Sequence, residues 1–109
     1  MKTIFWNLYF MKFESQYFIN ENNIDLITKK FKILSEESRL RILQVLQDGE
    51  KSVSQIVIET GFLQANVSKQ LKILLDADII KRRTEGNHHY YSILDTKILK
   101  ICQIICSQE

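Results

Sequence analysis

A mostly α-helical fold carrying a small β-hairpin is what this sequence predicts, and three observations lead there. There is no proline, and the three glycines, Gly49, Gly61 and Gly86, stand far apart, like corners between longer elements. From Ile24 to Ala77 the apolar residues recur at helical spacing. After Ile80 the period changes, and the polar stretch IKRRTEGN gives way to HHYYSI. At 109 residues, 45% hydrophobic and 26% charged, the chain is sized and composed like one globular domain.

The elements follow in order. Residues 1–22 form an aromatic-rich N-terminal extension. Phe5, Trp6, Tyr9, Phe10, Phe13, Tyr17 and Phe18 are seven of the eleven aromatics, and such a segment is expected to pack on the body or on a second subunit. Met11 is a second candidate start. Residues 23–109 form the main domain. Ile24 to Leu34 reads as a helix with Leu26, Ile27, Phe31 and Leu34 near one face. Ser35, Glu36, Glu37 and Ser38 look like the start of the next helix, acidic in its first turn. Leu40, Ile42, Leu43, Val45 and Leu46 give it a wide apolar stripe, and Gly49 ends it. Ser52 or Ser54 caps a short helix that buries Val53, Ile56 and Val57 and closes at Gly61. Gln64 to Ala77 buries Val67, Leu71 and Leu74. Only Gly61, Phe62 and Leu63 separate these two helices, which is the spacing of a helix-turn-helix. A two-stranded hairpin turns at Glu85-Gly86-Asn87, and Asp95 caps a last helix from Thr96 to about Ser107.

With Val67, Leu71 and Leu74 turned inward, the Gln64–Ala77 helix presents Gln64, Ala65, Asn66, Ser68, Lys69 and Lys72. Gln and Asn can pair with adenine edges, a small Ala can approach a thymine methyl, and Lys can reach guanine or phosphate. The helix N-terminus adds free amides and positive dipole. Any solvated helix also has a polar face, but here a tight turn precedes it and a basic strand, Lys81, Arg82 and Arg83, follows it. Those cations, with Asn87 at the tip, are expected to lie along a phosphate backbone. The net charge of +2 excludes little by itself, so charge placement carries the inference.

The order of elements, with SEESRLRILQVL, GFLQANVSKQLKILLDADII and EGNHHYYSI, resembles the ArsR/SmtB family of winged helix-turn-helix transcriptional regulators over residues 24–107. The resemblance implies a homodimeric repressor that binds a palindromic double-stranded DNA operator and releases it when an inducer binds. It also implies dimerisation through the C-terminal helix, an arrangement in which the N-terminal segment is expected to join. Three positions depart from the family pattern. Leu63 stands where a capping Ser is usual, Asp78 where Gly ends the recognition helix, and Asn87 where the wing often carries Arg.

Most named members of the family sense metals. No cysteine lies near KSVSQI, the place of the usual thiolate site, and Lys97 and Gln108 stand where imidazoles would complete a site on the last helix. His88 and His89, adjacent in a strand, point to opposite faces. No metal and no cofactor is expected. Cys102 and Cys106 are a candidate thiol-sensing pair, against the plainer view of them as small buried hydrophobes. Thiol-responsive relatives pair a C-terminal cysteine with one in the second helix, and that position here is Gln44. A bridge within the last helix would be strained at roughly 6 Å between α-carbons, whereas an inter-subunit disulfide is open.

No apolar run is long enough to span a membrane, no cleavage motif follows the first residues, and two cysteines make no disulfide framework, so a cytoplasmic location is expected. There is no activated nucleophile or phosphate-cradling glycine loop to suggest an enzyme. The competing function is a protein-interaction or assembly module with a degenerate wing, using the aromatic N-terminus and the apolar last helix.

Overall fold

Helix ends in this protein fall where backbone geometry, rather than hydrophobicity, runs out. The computed structural model describes residues 18–107. The chain divides into two compact units, Met1–Lys32 and Ile33–Glu109, with the division inside the first described helix. Of the extension expected over residues 1–22, all but residues 18–22 lies outside the described residues, including six of its seven aromatics.

In the first unit, Asn20 and Asn23 lead into helix α1, Ile24–Leu34. Asn20 N–H donates to Asn23 Oδ1 at 2.9 Å and Asn22 N–H to Asn20 Oδ1 at 2.8 Å, while Asn23 Nδ2 donates to the Phe18 carbonyl. These local side-chain bonds hold the turn that starts the helix. Ile24, Leu26 and Phe31 are exposed on it.

The second unit begins with the last two residues of α1, of which Ile33 is buried and Leu34 packs on the core. Then come α2 (Glu37–Leu46), β1 (Lys51–Ser52), α3 (Val53–Thr60), α4 (Gln64–Asp76), β2 (Ile80–Glu85), β3 (His88–Ile93) and α5 (Lys97–Cys106). The sheet is antiparallel in the order β1-β3-β2. The sequence predicted the hairpin but not β1, which has only two residues and so no periodicity to read. Lys51 pairs with Tyr91 and Ser52 with Tyr90.

Ser52 does double duty. It ends β1 and caps α3, its hydroxyl accepting from Gln55 N–H at 3.2 Å while Gln55 Oε1 accepts from Ser52 N–H at 2.8 Å. That reciprocal box settles the choice between Ser52 and Ser54. Within the expected start Ser35–Ser38, the cap of α2 is Glu36, which makes no side-chain capping hydrogen bond. Thr96 precedes α5, although Asp95 still accepts from Lys97 N–H at 3.1 Å.

The core joins Ile42, Leu43, Val45 and Leu46 of α2 to Ile56 of α3 and to Val67, Leu71 and Leu74 of α4. Ile79, Ile80, Tyr91 and Ile98 of α5 belong to the same cluster. Gly61, at φ 76°, ends α3 in the left-handed conformation, its N–H donating to the Val57 carbonyl. At the end of α4 the same conformation is imposed on an ordinary residue. Asp78 sits at φ 57°, its N–H donating to Leu75 O at 3.0 Å and Ile79 N–H to Leu74 O at 3.0 Å. This is a Schellman end, and Ile79 and Leu74 are both buried in the same core cluster. A side chain there costs energy that glycine would not. Asp78→Gly is therefore expected to stabilise the domain by about 0.5–1 kcal/mol, seen as a thermal midpoint a few degrees higher; an unchanged or lower midpoint would refute the strain.

Candidate nucleic-acid interface

Helix α4 is fixed in rotation by its buried stripe, since Val67, Leu71 and Leu74 are 0–1% exposed. Gln64, Ala65, Ser68, Lys69 and Lys72 are then all exposed, one connected surface at helical spacing. Lys69 has no ion-pair partner among the described residues, while Lys72 reaches Asp76 at 3.3 Å across one turn. Asn66 lies at the edge of this surface, half-buried, and its Oδ1 accepts from Gln70 Nε2 at 3.0 Å.

The helix starts without a side-chain cap. Leu63 occupies the cap position in an extended conformation and is 81% exposed. The first-turn amides of α4 are thus not claimed by a cap hydroxyl, and in a helix of 13 residues they carry the positive end of the dipole. The missing cap costs about 1 kcal/mol relative to Ser.

Gln70 was missed by sequence reasoning. It is 5% exposed and accepts from Arg39 Nη1 at 2.9 Å through Oε1. Arg39 also donates through Nε to the Ile33 carbonyl at 2.7 Å and stands 3.8 Å from Glu36. One arginine on α2 therefore ties the end of α1 to the middle of α4. The only hint in the sequence is that position 70 falls on the buried stripe, three residues after Val67.

The wing separates the basic triplet. Pairing of β2 with β3 sets Arg82 opposite Tyr91 and Arg83 opposite Tyr90. By strand alternation Arg82 shares a face with buried Ile80 and Tyr91, while Lys81 and Arg83 lie on the other face. The three cations were expected to act together, but the pleat does not put them on one side.

Arg83 is also engaged within the chain. Its Nε and Nη2 donate to Glu50 Oε2 and Oε1 at 3.0 and 2.8 Å, and Nη1 donates to Glu85 Oε2 at 2.7 Å. The guanidinium lies 4.7 Å from the centre of the Tyr90 ring. The hydrogen bond to Glu50, then that to Glu85, holds the Arg83 pKa above the ordinary arginine value. Two carboxylates around one guanidinium leave a local net negative charge, so Arg83 has less to offer a phosphate than its neighbours. Lys81 and Arg82 form no ion pair within 4.0 Å among the described residues. Asn87 is exposed at the tip, in a two-residue loop whose first residue, Gly86, has φ 62°.

The His88 ring is tilted against Tyr90, with ring centres 6.4 Å apart, and His89 pairs with Thr84 Oγ1 at 2.9 Å, so the two imidazoles do lie on opposite faces. Among the described residues no group of three or more His, Cys, Asp and Glu is arranged to hold a metal ion, and no helix is long and apolar enough to cross a membrane.

Cys102 is half-buried and Cys106 exposed, both as free thiols. They line a groove of about 510 Å³ between α5 and α2, whose walls include Leu40, Leu43, Gln44 and Leu99. Gln44 thus lines the same groove as the two thiols.

A helix-turn-helix followed by a two-stranded wing that pairs with a short strand before it, with a polar surface on the second helix, has a well-defined set of relatives. The sequence profile described as bacterial regulatory protein, arsR family, matches residues 36–82. The arsenical resistance operon repressor of Bacillus subtilis is 33% identical over 84 residues, 73% of this chain and 80% of that protein. The chain belongs to the ArsR family. The corresponding repressor of Staphylococcus aureus is 37% identical over 62 residues, 57% of this chain and 60% of that protein. The homodimeric winged helix-turn-helix DNA-binding domain of Mycobacterium bovis, solved in solution, superposes with a TM-score of 0.68 at 28% identity, covering 75% of this chain and 76% of that one. ArsR-family proteins are regulators, not enzymes, and this ArsR-family chain is a transcriptional regulator of the same winged helix-turn-helix fold.

The Glu50–Arg83 pair has a pH signature. The Arg83 hydrogen bond holds the Glu50 carboxyl below its ordinary value of 4.5. The folded chain therefore gives up that proton at lower pH than the unfolded chain. The pairing stabilises the fold above about pH 4.5 and its contribution fades as pH falls through the lowered value. Glu50→Gln is expected to lower the thermal midpoint at about pH 7, and the difference from the parent should shrink as pH falls below about 4.5; a difference that does not change with pH would show that the pair has no such role.

Proposed function

We infer that this ArsR-family chain acts as a homodimeric repressor on a palindromic double-stranded DNA operator, released by an inducer. The observation that carries this is the exposed surface Gln64, Ala65, Ser68, Lys69 and Lys72 on a helix whose opposite stripe is buried. Such a helix fits the major groove with base-reading and phosphate-neutralising groups facing outward. Lys81, Arg82 and Asn87 of the wing track the flanking backbone, with Arg83 contributing less because of its carboxylates.

A palindrome needs two chains. Ile104 and Ile105 of α5 are 72% and 71% exposed, a cost that a second copy would remove. The Mycobacterium bovis domain is homodimeric, which supports the same assembly here. The N-terminal segment is expected to join that interface. The same apolar surface suits an assembly module, but that alternative leaves the polar face of α4 without a role.

DNA binding by this chain is tested by titrating a duplex from its own upstream region at several salt concentrations. Lys69→Ala, removing one cation from each half of a dimer, should weaken binding and reduce the salt slope by roughly 2. An unchanged slope and affinity would count against α4 as the contact surface.

The thiols are the candidate inducer site. Cys102 and Cys106 face the groove beside α2, where modification would alter packing between the two helices. With Gln44 opposite, an α2–α5 disulfide cannot form, which leaves persulfide, sulfenic acid or an inter-subunit bridge. Mild oxidant or persulfide should modify Cys106 before Cys102, because it is the more exposed, and should lower operator affinity. Unmodified thiols by mass spectrometry, or modified thiols with unchanged affinity, would remove the sensing role.

A further inference from the structure

Among the described residues, Gln70 is the single buried polar side chain, and its two ends have different partners. Arg39 Nη1 donates to Oε1 at 2.9 Å, and Nε2 donates to Asn66 Oδ1 at 3.0 Å. The orientation of both amides is dictated chemically. A guanidinium has donors and no acceptor, so the Gln70 oxygen must face Arg39. The Gln70 nitrogen then faces Asn66, which must answer with its own oxygen. Arg39 cannot turn away, because its Nε is held by the Ile33 carbonyl at 2.7 Å and its other nitrogen stands 3.8 Å from Glu36. The consequence appears at the surface. Asn66 Nδ2 has no protein partner among the described residues, on a half-buried residue between exposed Ala65 and Lys69 of α4.

We propose that Gln70 is a positioning residue for base recognition, holding Asn66 so that it offers a duplex hydrogen-bond donors. An amide offering only donors is met fully by guanine, whose major-groove edge presents O6 and N7, and by thymine O4; adenine sets its N7 beside a donating amino group and cytosine presents an amino group, so both are disfavoured. This reverses the adenine contact that the residue type alone suggests, because the bidentate contact needs the amide oxygen turned outward and Gln70 holds it inward. The inference rests on α4 being the base-contacting helix.

The experiment selects binding sites for the full-length protein from a duplex library with each half-site position randomised in turn. Wild type should show one position per half-site favouring guanine or thymine by roughly tenfold. Gln70→Glu keeps the size of the side chain and gives Arg39 a carboxylate, but both of its oxygens accept. Asn66 must then turn its nitrogen inward and its oxygen outward, and preference at that position should move to adenine or cytosine while the other positions hold. Gln70→Met, which removes both bonds, should flatten that position alone. Thermal midpoints of both variants verify folding, and either variant suffices if the other fails to fold. A folded variant that binds DNA with an unmoved base preference overturns the proposal, as does a uniform loss across all positions, which marks a purely structural Gln70. Failure of wild type to bind any duplex would instead remove the underlying assignment of α4.

Discussion

The rotational setting of α4 is the constraint on which the rest of this protein depends. Three aliphatic side chains, Val67, Leu71 and Leu74, are buried almost completely and leave the helix one way to sit. Burying each contributes on the order of 1.5–3 kcal/mol, far more than any single surface contact on the opposite side. Rotation by one residue, about 100°, would bring Ser68 or Lys72 toward the core, where an unpaired polar group is costly. Apolar packing therefore decides which polar groups face outward, although none of the packed residues is itself exposed.

Arginine is used in two opposite ways around this helix. Arg39 is largely enclosed, and its donors satisfy a helix-end carbonyl and a buried amide at once, so it organises the interior. Arg83 is at the surface and pairs with Glu50 and Glu85, so it joins the wing to the loop before β1. Both exploit a planar fork with several fixed donors, which lysine could not reproduce. Among the described residues, the cations of α4 and the wing without an ion pair are Lys69 on α4 and Lys81 and Arg82 on the two faces of β2, so a chain of net charge +2 still has locally basic positions.

The last helix balances two demands. Ile98 is fully buried and anchors α5 to the domain, while Ile104 and Ile105 remain in water. A helix anchored at one end with apolar residues displayed at the other is suited to self-association. The groove beside it, with Cys102 and Cys106 on one side and Gln44 on the other, lies close to both the α2 core and that apolar end. Chemistry at the thiols and assembly of two chains would therefore share one element.

Periodicity and punctuation in the sequence determined most of the architecture. The stripe of Val67, Leu71 and Leu74, the glycine at 61 and the change of period after Ile80 were enough for the helix-turn-helix and the hairpin, because these are local signals. The exposed surface of α4 followed directly from that stripe. What the sequence could not supply were partners distant along the chain. Strand β1 exists only through Tyr90 and Tyr91, about 40 residues on. Arg83 read as a free cation until folding brought Glu50, 33 residues earlier, within 2.8 Å. Gln70 lay on a buried stripe with no visible reason until Arg39, 31 residues away, was found to satisfy it. Local spacing fixes which side of an element is apolar, but a hydrogen bond or ion pair between remote residues depends on where packing has placed them, and only the tertiary structure decides that.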